Sequence, residues 1–219
     1  MCIRDRIGIQ FVLTKEWNKL PHTKGWRYGM GNALAVLKPG KLTQIWKILE
    51  ICVESDLIVI MQAANTGLTG GSTPFGSDYD RPIVIINTMR IKDIHIIKEG
   101  NQIVGLTGST LYGLEKKLKP YGREPHSIIG STSIGASIIG GICNNAGGSL
   151  VQRGPSYTEM ALYARISKTG KLELVNELGI NLGSNPEEIL DNLQNQNYDK
   201  SDIHETDQLG SCLLYTSPS

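Results

Sequence analysis

Residues 57–72, Leu-Ile-Val-Ile-Met-Gln-Ala-Ala-Asn-Thr-Gly-Leu-Thr-Gly-Gly-Ser, decide the fold class of this chain. Leu57 to Met61 is a continuous apolar, largely β-branched run, the pattern of a strand buried on both faces. It passes straight into a turn with glycine at 67, 70 and 71. Glycine reaches positive φ and has no Cβ to hold a ligand away, so such a turn lets successive backbone N–H groups converge on an anion. No charged residue lies between Asp56 and Asp78, so small residues and hydroxyls complete the cradle.

Upstream, Ala33 to Leu37 reads as a short strand closed by Pro39-Gly40. Leu42, Ile45, Trp46, Leu49, Cys52 and Val53 then recur at helical spacing and predict an amphipathic helix. Downstream, Ile83 to Ile86 is a second buried strand, so the chain begins as an α/β unit. Two short strands between Ile94 and Thr107 flank the turn Glu99-Gly100-Asn101, and Leu111, Leu114 and Leu118 mark a helix that Pro120 ends. Met160 to Ile166 and Leu172 to Val175 form a hairpin pattern around Ser167–Gly170. Asn185-Pro186-Glu187-Glu188 is an N-cap, an N1 proline and a capping-box start for a last helix. Beyond about Gln194 the sequence turns polar and irregular.

A second neutral stretch runs for 26 residues from Ser127 to Gln152, with glycines at 130, 135, 140, 141, 147 and 148. A buried diphosphate held by backbone amides and Ser/Thr hydroxyls accounts for a long loop with no lysine. The pattern is neither the Walker loop, which ends in Gly-Lys-Ser/Thr, nor GxGxxG. Either loop alone reads equally well as tight turns in an ordinary α/β core. Two in one chain favour a large nucleotide cofactor.

Composition narrows the classes. With a net charge of +1, 20% charged and 40% hydrophobic residues, the chain lacks the Lys/Arg excess of a nucleic-acid binder. Glycine, 25 of 219 residues, exceeds the usual share of about 7%. No apolar run approaches the roughly 20 residues of a spanning helix, and the amino terminus lacks a secretory pattern, so a cytoplasmic protein is expected. Cysteines at 2, 52, 143 and 212 show no metal or disulfide spacing. The ends, 1–6 and 209–219, resemble translated adapter sequence and are expected to be foreign to the fold.

MQAANTGLTGGSTPFGSDYDRPIVIINT resembles the first FAD-binding segment of the quinone-dependent D-lactate dehydrogenases, flavoproteins of the vanillyl-alcohol-oxidase or PCMH type. GREPHSIIGSTSIGASIIGGICNNAGGSLVQRGPSYTEM resembles their second segment, and the likeness extends from about Val12 to about His204. It implies an α+β fold, a PCMH-type FAD-binding domain of two α/β subdomains with its carboxyl-terminal part truncated. Residues 7–32 would be an amino-terminal cover, 33–98 the first subdomain and 99–208 an incomplete second one. By the same resemblance, Ala63, Ala64, Asn65, Thr66, Gly67, Gly71 and Ser72 match the loop around the FAD diphosphate. Gly130, Ser137 and Gly147 match further FAD contacts.

The implied activity is oxidation of D-lactate to pyruvate with electrons passing to quinone. This chain would be a fragment inactive by itself, and the full enzyme would lie peripherally on the cytoplasmic face of the inner membrane, in contact through regions outside this chain. Another 2-hydroxy acid such as glycolate is the alternative within the fold, and a non-catalytic nucleotide-binding module the alternative outside it. No metal and no nucleic-acid partner are expected, and no catalytic base is assigned. Among single residues, His126 reads as a turn residue. Arg153 reads equally as a carboxylate ligand and as a surface side chain, Cys143 as a buried small hydrophobe, and Trp17, Trp26 and Tyr28 as packing for the amino-terminal cover.

Overall fold

The computed structural model describes residues 3–149, 152, 154, 156, 158 and 160–202. Its first layer is a four-stranded sheet of β1 (Val12–Leu13), β2 (Ala35–Leu37), β3 (Ile58–Gln62) and β4 (Ile83–Asn87), in the spatial order β1-β2-β4-β3. β4 is parallel to both of its neighbours, with Ile85 opposite Val36 and Ile60, while β1 runs antiparallel to β2. Alternation along the strands feeds two cores. Ala35, Leu37, Val84 and Ile86 face the larger one, whereas Val36, Ile83 and Ile85 join Ala33 on the opposite face. Every residue of β4 is buried, as its unbroken apolar run requires.

The amino-terminal helices are α1 (Ile3–Ile7) and α2 (Glu16–Thr23), and α3 (Leu42–Glu54) covers the sheet with Leu42, Ile45, Trp46, Ile48 and Cys52. Ile3–Ile7 includes residues expected to be foreign, yet Ile7 is buried and the Arg6 carbonyl accepts from Gln44 Nε2 at 2.7 Å. Neither α1, α2 nor β1 was legible in the sequence: α1 and β1 are too short to show a period, and α2 is mostly polar and contains Pro21.

β5 (Ile94–Ile97) and β6 (Gln102–Gly105) pair antiparallel across a turn of residues 98–101, in which Lys98, Glu99 and Gly100 have φ of 46°, 54° and 81°. α4 (Leu111–Leu118) packs Leu111, Leu114 and Leu118 with Ile94, Ala136 and Ile138, and Ile138 opens the short helix α5 (Ile138–Cys143). β7 (Leu162–Ile166) and β8 (Leu172–Asn176) form the expected hairpin, and α6 (Pro186–Gln194) lays Ile189, Leu190 and Leu193 on the α3 core. Asn185 caps α6 by accepting from Glu188 N at 3.0 Å. The Glu188 carboxylate bonds Ser184 N and Asn185 Nδ2 rather than the Asn185 backbone, a variant of the predicted box.

Three sequence readings are corrected. β3 is the edge strand of its sheet and is half-buried, with Met61 45% exposed, rather than buried on both faces. Cys143 is exposed because it ends α5, whose buried face is carried by Ile138 and Gly141. Trp17, Trp26 and Tyr28 are 71%, 67% and 62% exposed, so they do not pack the amino-terminal segment; its glycine backbone does. Arg153 lies outside the described residues.

Candidate cofactor site

The site starts where β3 ends. Gln62 is 2% exposed, and its side chain makes four hydrogen bonds. Nε2 donates to the carbonyls of His22 (2.9 Å) and Ser72 (2.8 Å), while Oε1 takes Asn87 Nδ2 (3.2 Å) and meets His22 Nδ1 (2.7 Å). Asn87, at the end of β4, also donates to Ala63 O at 2.9 Å. A buried amide so fully paired resists being moved, since an unmade buried hydrogen bond costs about 1–3 kcal/mol.

From this root the loop is braced internally. Asn65 takes the left-handed conformation at φ 55°, a geometry that asparagine tolerates. Its Nδ2 donates to Lys24 O at 2.9 Å, and its Oδ1 accepts Ser72 Oγ at 2.8 Å, closing the two arms of the loop on each other. Among the described residues, the backbone N–H groups of Ala63 to Ser72 donate to no carbonyl and no side chain. A Cβ added at Gly67 would meet nothing within 4 Å, and one at Gly71 only Thr69 Oγ1 at 3.9 Å. A neutral, half-exposed loop with a run of available N–H donors fits a diphosphate, because backbone amides bind phosphate oxygens without a cation. The structure therefore brings Ala63, Ala64, Asn65, Thr66, Gly67, Gly71 and Ser72 together on one loop.

The second segment is built differently. Ser137 is 4% exposed, and its Oγ caps α5 by accepting from Gly140 N at 3.0 Å. Gly147 precedes Gly148, which makes an isolated parallel bridge to Ile128 and so lies alongside the segment leading to Gly130. Gly130 is exposed, and its added Cβ would meet nothing within 4 Å. The roots of both segments are tied to the same crossing segment. Thr88 N donates to Gln62 O at 2.8 Å and Thr88 Oγ1 to Thr107 O at 3.2 Å, and two residues further on Ser109 O accepts from Ile138 N at 2.8 Å. Among the described residues, no hydrogen bond joins the two loops directly.

A cavity of about 2420 Å³ lies elsewhere, between α3 and the two hairpins. It borders the second segment through Ser127, Ile138, Ile139, Ile142, Cys143 and Asn145 and reaches Met61 at the end of β3. Its α3 side is apolar, with Leu42, Ile45, Trp46, Leu49 and Cys52, and none of residues 62–72 lines it. Burial pushes the Cys52 thiol up to about 11 and leaves it an unreactive apolar filler.

Sequence reasoning nominated the loop but missed its supports, Gln62, Asn87 and His22. The available signal was a polar residue ending an apolar strand. It missed equally the group formed around buried His95 by half-exposed Asp93 and Tyr198, in which His95 Nδ1 is 2.6 Å from Tyr198 Oη and Nε2 is 3.7 Å from Asp93 Oδ2. Burial lowers the His95 pKa and raises that of Tyr198 to about 12. For Asp93, burial works upward, but the Ile94 N–H and the Lys117 ammonium outweigh it and hold the carboxyl below its usual range. The group ties the segment after α6 to β5 and touches neither loop. Among the described residues, no group of three or more His, Cys, Asp or Glu could hold a metal, and no helix is long and apolar enough to cross a membrane.

A glycine loop with available N–H donors after a parallel strand, and a second glycine segment linked to it through Thr88, is an arrangement suited to a nucleotide cofactor. The family profile described as FAD binding domain matches residues 33–172, and this chain belongs to that family, with FAD as its cofactor. Relatives named quinone-dependent D-lactate dehydrogenase include that of Haemophilus influenzae, 59% identical over 93% of this chain and 36% of its own length, and that of Escherichia coli, 56% identical over 90% and 34%. The chain thus spans about a third of the length of the curated relatives it matches. Among solved structures, an alkyldihydroxyacetonephosphate synthase superposes with a TM-score of 0.64 at 15% identity, covering 78% of this chain and 34% of the other. p-Cresol methylhydroxylase gives 0.55 at 15% identity, covering 78% and 33%. These likenesses show the fold alone, one of mixed helices and sheets.

Proposed function

We propose that this chain is the FAD-holding portion of an enzyme that oxidises D-lactate to pyruvate and passes the electrons to quinone. The observation that carries the proposal is identity of 56–59% across at least nine-tenths of the chain to enzymes of that name. Residues Ala63, Ala64, Asn65, Thr66, Gly67, Gly71 and Ser72 would hold the diphosphate, with Gly130, Ser137 and Gly147 as further contacts. One loop falls in each of the two subdomains assigned to 33–98 and 99–208.

Flavin, when bound, supplies the acceptor for the hydrogen leaving the substrate carbon. The chain's own contribution is binding and orientation. The loop amides neutralise the diphosphate without a counter-charge, and the Asn65–Ser72 and Gln62–Asn87 bonds hold them converged. Those bonds support the assignment because they fix a loop that has donors to spare. No residue of this chain is assigned as the base for the substrate hydroxyl, and the peripheral membrane contact that a quinone acceptor implies is proposed for regions outside it.

The test has two arms. The purified chain should be yellow and release FAD on denaturation; a folded, colourless product indifferent to added FAD would sink the cofactor assignment. The complete protein should reduce a quinone analogue with D-lactate. Turnover of another 2-hydroxy acid such as glycolate, with none on D-lactate, would decide against the substrate.

A further inference from the structure

We propose that residues Glu16–Gly31 form a clasp that pre-shapes the cofactor loop, and that His22 is a positioning residue in it, acting on the loop through Gln62. The proposal rests on the reading of 63–72 as the diphosphate loop and adds an element outside the residues 33–172 that define the family.

The hydrogen bonds fix the chemistry of His22. Gln62 Nε2 faces two carbonyls, His22 O and Ser72 O, which can only accept. The amide orientation is thereby settled, and Oε1 must be the atom facing His22 Nδ1 at 2.7 Å. His22 therefore carries its proton on Nδ1 and donates it to Gln62, while its own carbonyl receives the Gln62 amide. This reciprocal pair joins α2 to the end of β3, and the second Gln62 N–H carries the restraint on to Ser72 at the far arm of the loop.

The backbone of the clasp repeats the contact further along. Lys24 O and Pro21 O accept from Asn65 Nδ2 at 2.9 and 3.4 Å. Gly76 N donates to Met30 O at 2.9 Å, and Gly31 bridges Gly76 in parallel. The approach is too close for side chains: a Cβ at Gly29 would stand 2.2 Å from Thr73 Oγ1, one at Gly31 2.8 Å from Gly76 O, and one at Gly70 3.0 Å from Tyr28 O. Both arms of the loop are thus held from the same side by one segment.

Preorganisation is the consequence. Among the described residues the amides of 63–72 meet no acceptor, so an unrestrained loop would lose their convergence, and binding would have to restore it. His22 and the clasp remove that cost before the cofactor arrives. His22 reaches the loop only through Gln62, so its effect is on affinity and order rather than on a reacting atom.

The test uses the 219-residue chain, with FAD binding followed by flavin fluorescence and folding by circular dichroism. Loss of one hydrogen bond of this kind is worth about a tenfold change in the FAD dissociation constant, so His22→Ala should weaken binding by roughly that factor. His22→Asn, whose amide nitrogen can take the place of Nδ1, should restore affinity to within about threefold of wild type. Saturating FAD should also slow tryptic cleavage after Lys24 and Arg27, both exposed in the clasp. Wild-type affinity in folded His22→Ala, or equal weakening in His22→Asn, overturns the positioning role. If His22→Ala fails to fold, the proteolysis arm still decides, since unchanged cleavage of wild type at saturating FAD overturns the clasp. A wild-type chain that binds no FAD overturns the cofactor reading itself, and this proposal with it.

Discussion

Gly148 shows how a single position can be dictated by backbone geometry. Its φ is 60°, and an added Cβ would stand 2.1 Å from Ile128 O, the carbonyl that also accepts from Ser149 N. Gly148→Ala therefore combines left-handed strain with a collision against a bonded carbonyl, and should cost about 2 kcal/mol or more. Urea unfolding midpoints against wild type would check it. His95 gives a pH prediction. Burial lowers its folded pKa below the ordinary histidine value of about 6.5, so the unfolded chain binds protons more readily as pH falls. Stability is then full above about pH 6.5 and declines below it, and His22, lowered first by burial and also by Lys38, acts in the same direction. Midpoints at pH 7.5 and 5.5 should fall with acid, and His95→Asn should reduce the fall; a pH-independent midpoint contradicts this account.

At the scale of elements, local sequence rules worked where an element carries its own signal. α3 follows its apolar spacing, and the β7–β8 hairpin follows its turn. α6 starts at the capping asparagine, so Asn185→Ala should lower stability by about 1 kcal/mol, with Asn185→Asp recovering most of it in thermal melts. The elements that escaped the sequence, α1, α2 and β1, are short, and α2 contains Pro21. Their positions come from contacts made far along the chain, such as Gln62 with His22 and Gln44 with Arg6. No local periodicity encodes contacts of that kind.

For the whole molecule, a cofactor that binds only the folded state shifts the unfolding equilibrium by mass action. FAD at about 100 times its dissociation constant should therefore add about 2.7 kcal/mol of stability, read as a concentration-dependent rise in melting temperature. ADP, which presents the same diphosphate, should give a smaller rise, and no rise with either ligand would contradict the diphosphate loop. The 2420 Å³ cavity belongs to this scale too. It is bounded by α3 and by two hairpins that remain separate two-stranded sheets, so it reflects how the layers meet rather than any local motif.

The sequence by itself determined the strand-to-loop transition at Gln62, the neutrality of both glycine segments and the family. Each of these depends on residue types within a few positions of one another, where alternation, glycine and missing charge have direct steric and electrostatic meaning. Only the tertiary structure decided what holds the first loop in shape. Gln62 is an ordinary polar residue until His22, forty positions earlier, and Asn87, twenty-five later, meet it in a buried site. There an unpaired amide would be costly, and hydrogen-bond geometry rather than sequence proximity selects the partners.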